Sequence, residues 1–479
     1  MANIVLGRSE FRDKVYACWM GKNIGGTLGA PHEGRRHTHA LEFYDPVPKE
    51  AAANDDLDLQ LVWLKAMEDH GVDPSVATLA EYWARFAAPY PWNEYGFFMR
   101  NYSRGLRPPV AGCFENYFVD EMGSPIRSEI WAVLHAGDPQ AAARMAWKDS
   151  AIDHAGGEGT YGEMFWAAVE AAAFVEPDPL TLIQIGLNMI PLSSHVGRSI
   201  REALWCHQNG QSWGYARERI ATRFGHVQPC NAVPNHGFTI LGWLYGKDFG
   251  DRLCKAVNCG FDTDCTGATL GSLLGILGGM ASIPASWQKP VGKQIVLHKF
   301  TRLPAAPKTI DELTDRSIVL AEKAAAGRED ASFGKATKSP PDLRTRLFRN
   351  DLAREALVQD IHAGVELCGG KEVAFHYGGE PVLRPGVGKD VRVTVAGKEK
   401  QVELEAPAGW TCTRLGQAKF RLFCKGPVTD RGKVKVTLGQ ESVEFTILGP
   451  GEAKGFPAGG NVAKCPRCQA RVEACICPK

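Results

Sequence analysis

Asp262-Thr263-Asp264-Cys265-Thr266-Gly267-Ala268-Thr269-Leu270-Gly271-Ser272-Leu273-Leu274-Gly275 sets two carboxylates directly ahead of a small, apolar run that reads as a buried helix. Far upstream, Asn54-Asp55-Asp56 leads into Leu57-Asp58-Leu59-Gln60-Leu61-Val62-Trp63-Leu64 with the same grammar. Taken singly, each cluster reads as a helix cap, because Asn and Asp favour N-cap positions and first-turn carboxylates suit the positive end of the helix dipole. Taken together, they point to a site. Carboxylates gathered in one fold repel one another and are costly to desolvate, so their convergence calls for divalent cations. Oxygen donors of this kind suit magnesium, manganese or calcium better than zinc. The stretch from Ala268 to Ile283 is the one candidate membrane span. It is short and dense in glycine, and close helix packing in a soluble core accounts for it better.

Three ordered blocks carry a resemblance to a known family. They are Gly25-Gly26-Thr27-Leu28-Gly29-Ala30-Pro31-His32-Glu33, then Asn54-Asp55-Asp56, then Asp262-Thr263-Asp264-Cys265 with its glycine-rich helix ending near Ile283-Pro284. In order and spacing they resemble the ADP-ribosylglycohydrolases, over about the first two-thirds of the chain. The resemblance implies a mainly α fold: an orthogonal helical bundle holding two divalent cations, magnesium or manganese. It implies metal ligation by Asn54, Asp55, Asp56, Asp262, Asp264 and Cys265, with Asp55 and Asp264 also catalytic. Asn54 and Cys265 each stand where the family has threonine; an amide oxygen still suits a hard cation, whereas a thiol is a poor partner for magnesium. Gly26 stands where family members often carry aspartate. Glu33 keeps the place of a glutamate near the scissile bond, on a loop that Gly29 and Pro31 mark out as a helix end.

A middle block, Ser150-Ala151-Ile152-Asp153-His154-Ala155-Gly156-Gly157-Glu158-Gly159-Thr160, precedes a helical, mostly apolar stretch beginning at Phe165. Glycines before a helix let backbone N–H groups face a phosphate, so Gly156, Gly157 and Gly159 are expected to line a pyrophosphate path. The pattern lacks the Lys-Ser/Thr pair of a true phosphate loop. The family resemblance puts His154 by the cleft. Arg127, in Met122-Gly123-Ser124-Pro125-Ile126-Arg127, is a candidate for facing anionic substrate from a loop. His236 reads as a structural histidine.

With 479 residues, 44% of them hydrophobic, and a formal charge of +1, the chain is long enough for more than one domain and lacks the excess of a broad nucleic-acid-binding face. Its first ten residues do not follow the charged-then-apolar plan of a secretory signal, which leads to a cytoplasmic expectation. Ten of the 14 cysteines are scattered, as reduced thiols would be. The other four, Cys465, Cys468, Cys475 and Cys477, form a C-x-x-C and a C-x-C pair suited to a structural zinc ion.

The expected organisation is a helical metal-dependent catalytic domain over 1–330, a linker and helix over 331–365, a small antiparallel β-sandwich over 366–450 and a cysteine-rich tail over 456–479. A helical pattern runs from Asp342 to Leu367. Period-two alternation in Val391–Val395, Gln401–Leu404, Phe420–Phe423 and Lys433–Leu438 marks the sandwich, whose partner the sequence does not name. The function expected is hydrolysis of the bond between ADP-ribose, or a related ribosyl group, and its acceptor. The competing readings are a same-fold hydrolase of another N- or O-linked furanoside, or a non-catalytic ADP-ribose-binding scaffold.

Overall fold

The computed structural model describes residues 3–426, 428 and 430–450. The cysteine-rich tail, with Cys465, Cys468, Cys475 and Cys477, lies outside the described residues. The expected architecture holds: a helical domain precedes antiparallel sheets. At the centre of the helical domain, the Arg8–Gly29 helix lies against the Thr263–Gly278 helix.

This contact is made by backbone. A Cβ on Gly25 would sit 1.9 Å from the Gly267 carbonyl oxygen, one on Gly29 2.1 Å from that of Thr263, and one on Gly271 2.1 Å from that of Gly21. Glycines four residues apart on both helices form facing stripes, and only hydrogen fits between them. Around the pair, apolar faces of the other helices complete a core that encloses Trp19, Trp63, Trp83, Trp131, Trp166 and Trp243. No described helix is long and apolar enough to cross a membrane.

Two features depart from the sequence expectation. Ala331–Gly334 is a short strand paired in parallel with Ile4–Gly7, so the segment expected to begin a linker is fastened to the start of the chain. The helical pattern from Asp342 ends early: helices Leu343–Leu347 and Asp351–Leu357 give way to a strand at Ala363–Cys368. Its alternation was masked by Gly364 and by the short span between the helix end and the strand. Asn350 and Leu352 bond to Asn188 and Gln140 of the helical domain, which anchors the connection.

The sandwich has a five-stranded and a three-stranded sheet. Strands Lys389–Val395, Glu403–Glu405, Lys419–Phe423 and Arg431–Leu438 fall where the alternation placed them. The sheets meet through Phe375 and Phe445, whose rings stack at 5.2 Å, and through the Tyr377 hydroxyl, which donates to the Thr446 carbonyl. The Val365 N–H donates to the Pro108 carbonyl, and Arg107 pairs with Glu366, joining sandwich to helices.

Substituting Gly271→Ala forces the two central helices apart, since the neighbour is backbone and cannot rotate away. We expect a loss of about 3 kcal/mol or more in urea denaturation. A neutral result would mean that the contact is looser than described.

Candidate active site

Both acidic clusters stand at helix N-termini, as capping predicts, yet the caps are used differently. Asn54 Oδ1 accepts the Asp56 N–H at 2.7 Å, which starts the Asp55–His70 helix. Asp262 occupies the N-cap of the Thr263–Gly278 helix but its side chain makes no capping hydrogen bond. Its carboxylate is aimed elsewhere. Gly260 and Phe261, at φ +76° and +69°, turn the chain sharply just before it.

The clusters converge. Ligand atoms of Asp56, Asp264 and Cys265 lie within 4.8 Å of one another, as do those of Glu33, Cys230 and Asp262. The thiol of Cys265 points to Asp56 Oδ2 at 3.8 Å, and that of Cys230 to Glu33 Oε1 at 3.8 Å. Asp55 belongs to neither group; its Oδ2 accepts from Trp92 Nε1 at 2.9 Å. Trp92 in turn packs with His298 and Phe300, giving a half-buried aromatic wall beside Asp55.

The electrostatics are those of a cation trap. Burial, then the neighbouring carboxylates, pushes Asp56 and Asp264 well above the usual carboxylate range. Burial and then Glu33 push Asp262 up to about 6. One oxygen each of Asp56 and Asp264, and both of Asp262, are buried and accept no hydrogen bond. Acids left in this state are what a hard divalent cation satisfies, so the residues fit such an ion. One internal cation already leans on Asp56: buried Lys22 donates to Glu129 Oε1 at 2.7 Å and lies 3.9 Å from Asp56 Oδ1. Gln60 braces the arrangement, donating to Glu129 Oε2 and to the Asp56 carbonyl.

Two departures from the family pattern turn out to be one. A Cβ on Gly26 would come 2.6 Å from Asn54 Nδ2, so the missing side chain at 26 makes room for the larger residue at 54.

Other predicted site residues are placed differently. Arg127 is fully buried rather than on a substrate-facing loop; its guanidinium holds Asp149 at 2.7 Å and Asp153 at 2.8 Å and lies over the rings of Trp63 and Trp83. A planar, permanently charged group suits that interior role. His154 is buried too, with Nδ1 at 2.6 Å from Asp153 Oδ1. The helix beginning at Glu158 has its first N–H taken by Asp120 at 2.7 Å, and the Gly159 N–H by the Val119 carbonyl. Side chains at Gly156, Gly157 and Gly159 would strike Ile361, Val119 and His154 respectively. These glycines allow close packing, and the N–H groups of Gly157, Glu158 and Gly159 already have acceptors within the fold.

Lys22, Trp92, Glu94 and Cys230 escaped sequence reasoning. Buried Glu94, pushed up to about 7 by burial, feels the fields of His154, Asp153 and Asp55. Asp58, also about 7 through burial, accepts from the His298 N–H, Thr301 and Tyr90 and so pins the aromatic wall. Cys230 carries no local signal; it sits just ahead of the Ala232–Tyr245 helix.

A helical domain with a buried, acid-lined centre is the fold and site of a glycohydrolase. It belongs to the ADP-ribosylglycohydrolase family, whose model matches residues 7–328. A solved structure described as an "ADP-ribosylglycohydrolase-related protein complex" aligns at 17% identity and a TM-score of 0.48, covering 66% of this chain and 99% of that one. Among curated proteins, none matches the sequence.

The raised acids carry a pH signature. In the metal-free fold, Asp262, Asp58 and Glu94 keep protons that the unfolded chain has already lost, so the stability they contribute is fullest at low pH and falls as pH rises through about 4 to 7. Between about pH 5 and pH 7.5 the chelated protein should lose ~2 kcal/mol or more, and saturating manganese should reverse the trend. A chelated protein whose melting point climbs over that window contradicts the burial argument. Separately, Gly26→Ala should cost less in an Asn54→Thr background than alone, with a coupling of about 1 kcal/mol in a double-mutant cycle. Additivity would mean the two positions are independent.

Proposed function

We propose that the chain is a dinuclear-metal-dependent hydrolase that cleaves the bond between ADP-ribose, or a closely related ribosyl group, and its acceptor. One observation carries this: buried carboxylate oxygens from sequence-distant segments meet without hydrogen-bond partners. Asp56, Asp264 and Asp262 would hold the cations, with Asp55 at the edge of the centre. Bound there, the cations would supply Lewis-acid positioning of the ribose diol and a lowered pKa for water. Ribosyl cleavage builds positive character at the anomeric carbon and negative character on the leaving atom. The carboxylates suit the first. Exposed Glu33, at the rim, is placed to orient water or take its proton. The rings of Trp92, His298 and Phe300 offer faces on which a base can stack. His154 and Arg127 belong to the supporting network, holding Asp153 and Asp149.

A second reading, hydrolysis of a smaller furanoside, is favoured by one observation. The helix start expected to hold pyrophosphate is already occupied by Asp120. Incubating the protein with defined ADP-ribosylated acceptors and simple furanosides, with magnesium or manganese, separates the two readings by the sugar released. We expect ADP-ribose release that chelation abolishes and that Asp55→Ala or Asp264→Ala lowers by about 100-fold or more. Furanoside turnover without ADP-ribose turnover would establish the second reading. Nucleotide binding with no turnover of any substrate would leave a scaffold.

A further inference from the structure

The Glu33, Cys230 and Asp262 ligand atoms lie within 4.8 Å of one another, and they come from three separate loops. We infer that these residues form a mixed oxygen–sulfur cation site that takes a thiophilic divalent ion, of the zinc or cobalt type, through the Cys230 thiolate in preference to magnesium. The inference rests on the proposed use of the same acidic centre for metal binding.

The first support is Asp262 itself. It is 1% exposed, both its oxygens are without hydrogen-bond partners, and it sits at an N-cap without capping. The second is how the loops are held. Asn235, fully buried, donates through Nδ2 to the carbonyls of Pro229 (2.7 Å) and Asn231 (2.8 Å), the two residues flanking Cys230. Its Oδ1 accepts the Asp262 N–H at 3.2 Å. One side chain therefore fixes the thiol turn and the carboxylate turn to each other. Glu33 is brought in by backbone: the Gly34 N–H donates to the Phe261 carbonyl at 2.9 Å, and the Phe261 N–H to that of Arg35 at 2.8 Å. Ligands so positioned need little rearrangement to close on an ion.

The donor set decides the ion. Magnesium sheds water reluctantly and seeks oxygen, whereas a thiolate favours softer cations. Zinc accepts carboxylate and thiolate together in a four-coordinate shell, leaving a position for water or substrate. As the sulfur–metal bond forms, the Cys230 thiol gives its proton to solvent. Cys230 is half-buried and Glu33 exposed, so an ion can reach them from solvent.

The test uses the full chain with Cys465, Cys468, Cys475 and Cys477 changed to serine, because those thiols would bind the probe themselves. Cobalt(II) is titrated into this parent and into its Cys230→Ser and Cys265→Ser variants, following the thiolate-to-cobalt charge-transfer band. Zinc and manganese affinities are measured alongside. The expected result is a band in the parent that Cys230→Ser abolishes, a zinc affinity lowered about tenfold or more, and manganese affinity changed by less than about threefold. Unchanged circular dichroism would show that the variant folds. A parent without the band, or a band that survives Cys230→Ser, overturns the inference, as does a band removed by Cys265→Ser alone. Manganese binding without any cobalt–thiolate band would sink this inference while leaving the proposed function standing; a parent that binds no divalent ion would sink both.

Discussion

Helix backbones touch at the centre of this protein, with carbonyl oxygens of one helix lying where side chains of the other would be. That approach fixes the level at which the Arg8–Gly29 helix ends beside the start of the Thr263–Gly278 helix. Gly29 meets Thr263, so Glu33 and its loop come to lie against Phe261 and Asp262. The Thr263 hydroxyl completes the junction by donating to the Gly29 carbonyl at 2.8 Å. The third participant, the Asp55–His70 helix, enters because Gly26 leaves a notch that Asn54 fills. Three chain segments thus meet at one point through contacts that tolerate no added methyl group.

Burying so many acids is expensive, and the fold offsets part of the cost in three ways. Two helix N-termini face the centre with their partial positive charge. Lys22 supplies a full charge from the interior, held by Glu129. In a second buried network, Arg127 pairs with Asp149 and Asp153 and lies over the Trp83 ring. Although burial pushes Asp153 upward, the Arg127 guanidinium and His154 hold its carboxyl below the usual range. At the centre, Lys22 lies 3.9 Å from Asp56, while Asp262 and Asp264 have no basic side chain paired with them among the described residues.

The C-terminal sheets bear on the helical domain at a defined place. Gly364 bridges Pro109, Thr446 lies over Gly105, and the Cys113 thiol donates to the Ile361 carbonyl at 3.3 Å. Ile361 also covers Gly156, which converts a glycine loop that looks like a ligand cradle into a packing surface.

Much of this was readable in the residues, because short-range physics governs it. Asn54, Asp55 and Asp56 before an apolar run mark a helix start in any context; alternation in Val391–Val395 or Lys433–Leu438 marks strands; ordered glycine and aspartate blocks mark the family. What tertiary structure alone decided is which distant groups share a volume. Nothing local distinguishes Cys230 from the other cysteines, or Lys22 from a surface lysine, and Arg127 reads as exposed until Asp149 and Asp153 close around it. Sequence sets each segment's own conformation through nearest-neighbour sterics and hydrogen bonding. Burial, pairing and orphaned charge are properties of the assembled interior, and they exist only once segments hundreds of residues apart have been pressed together.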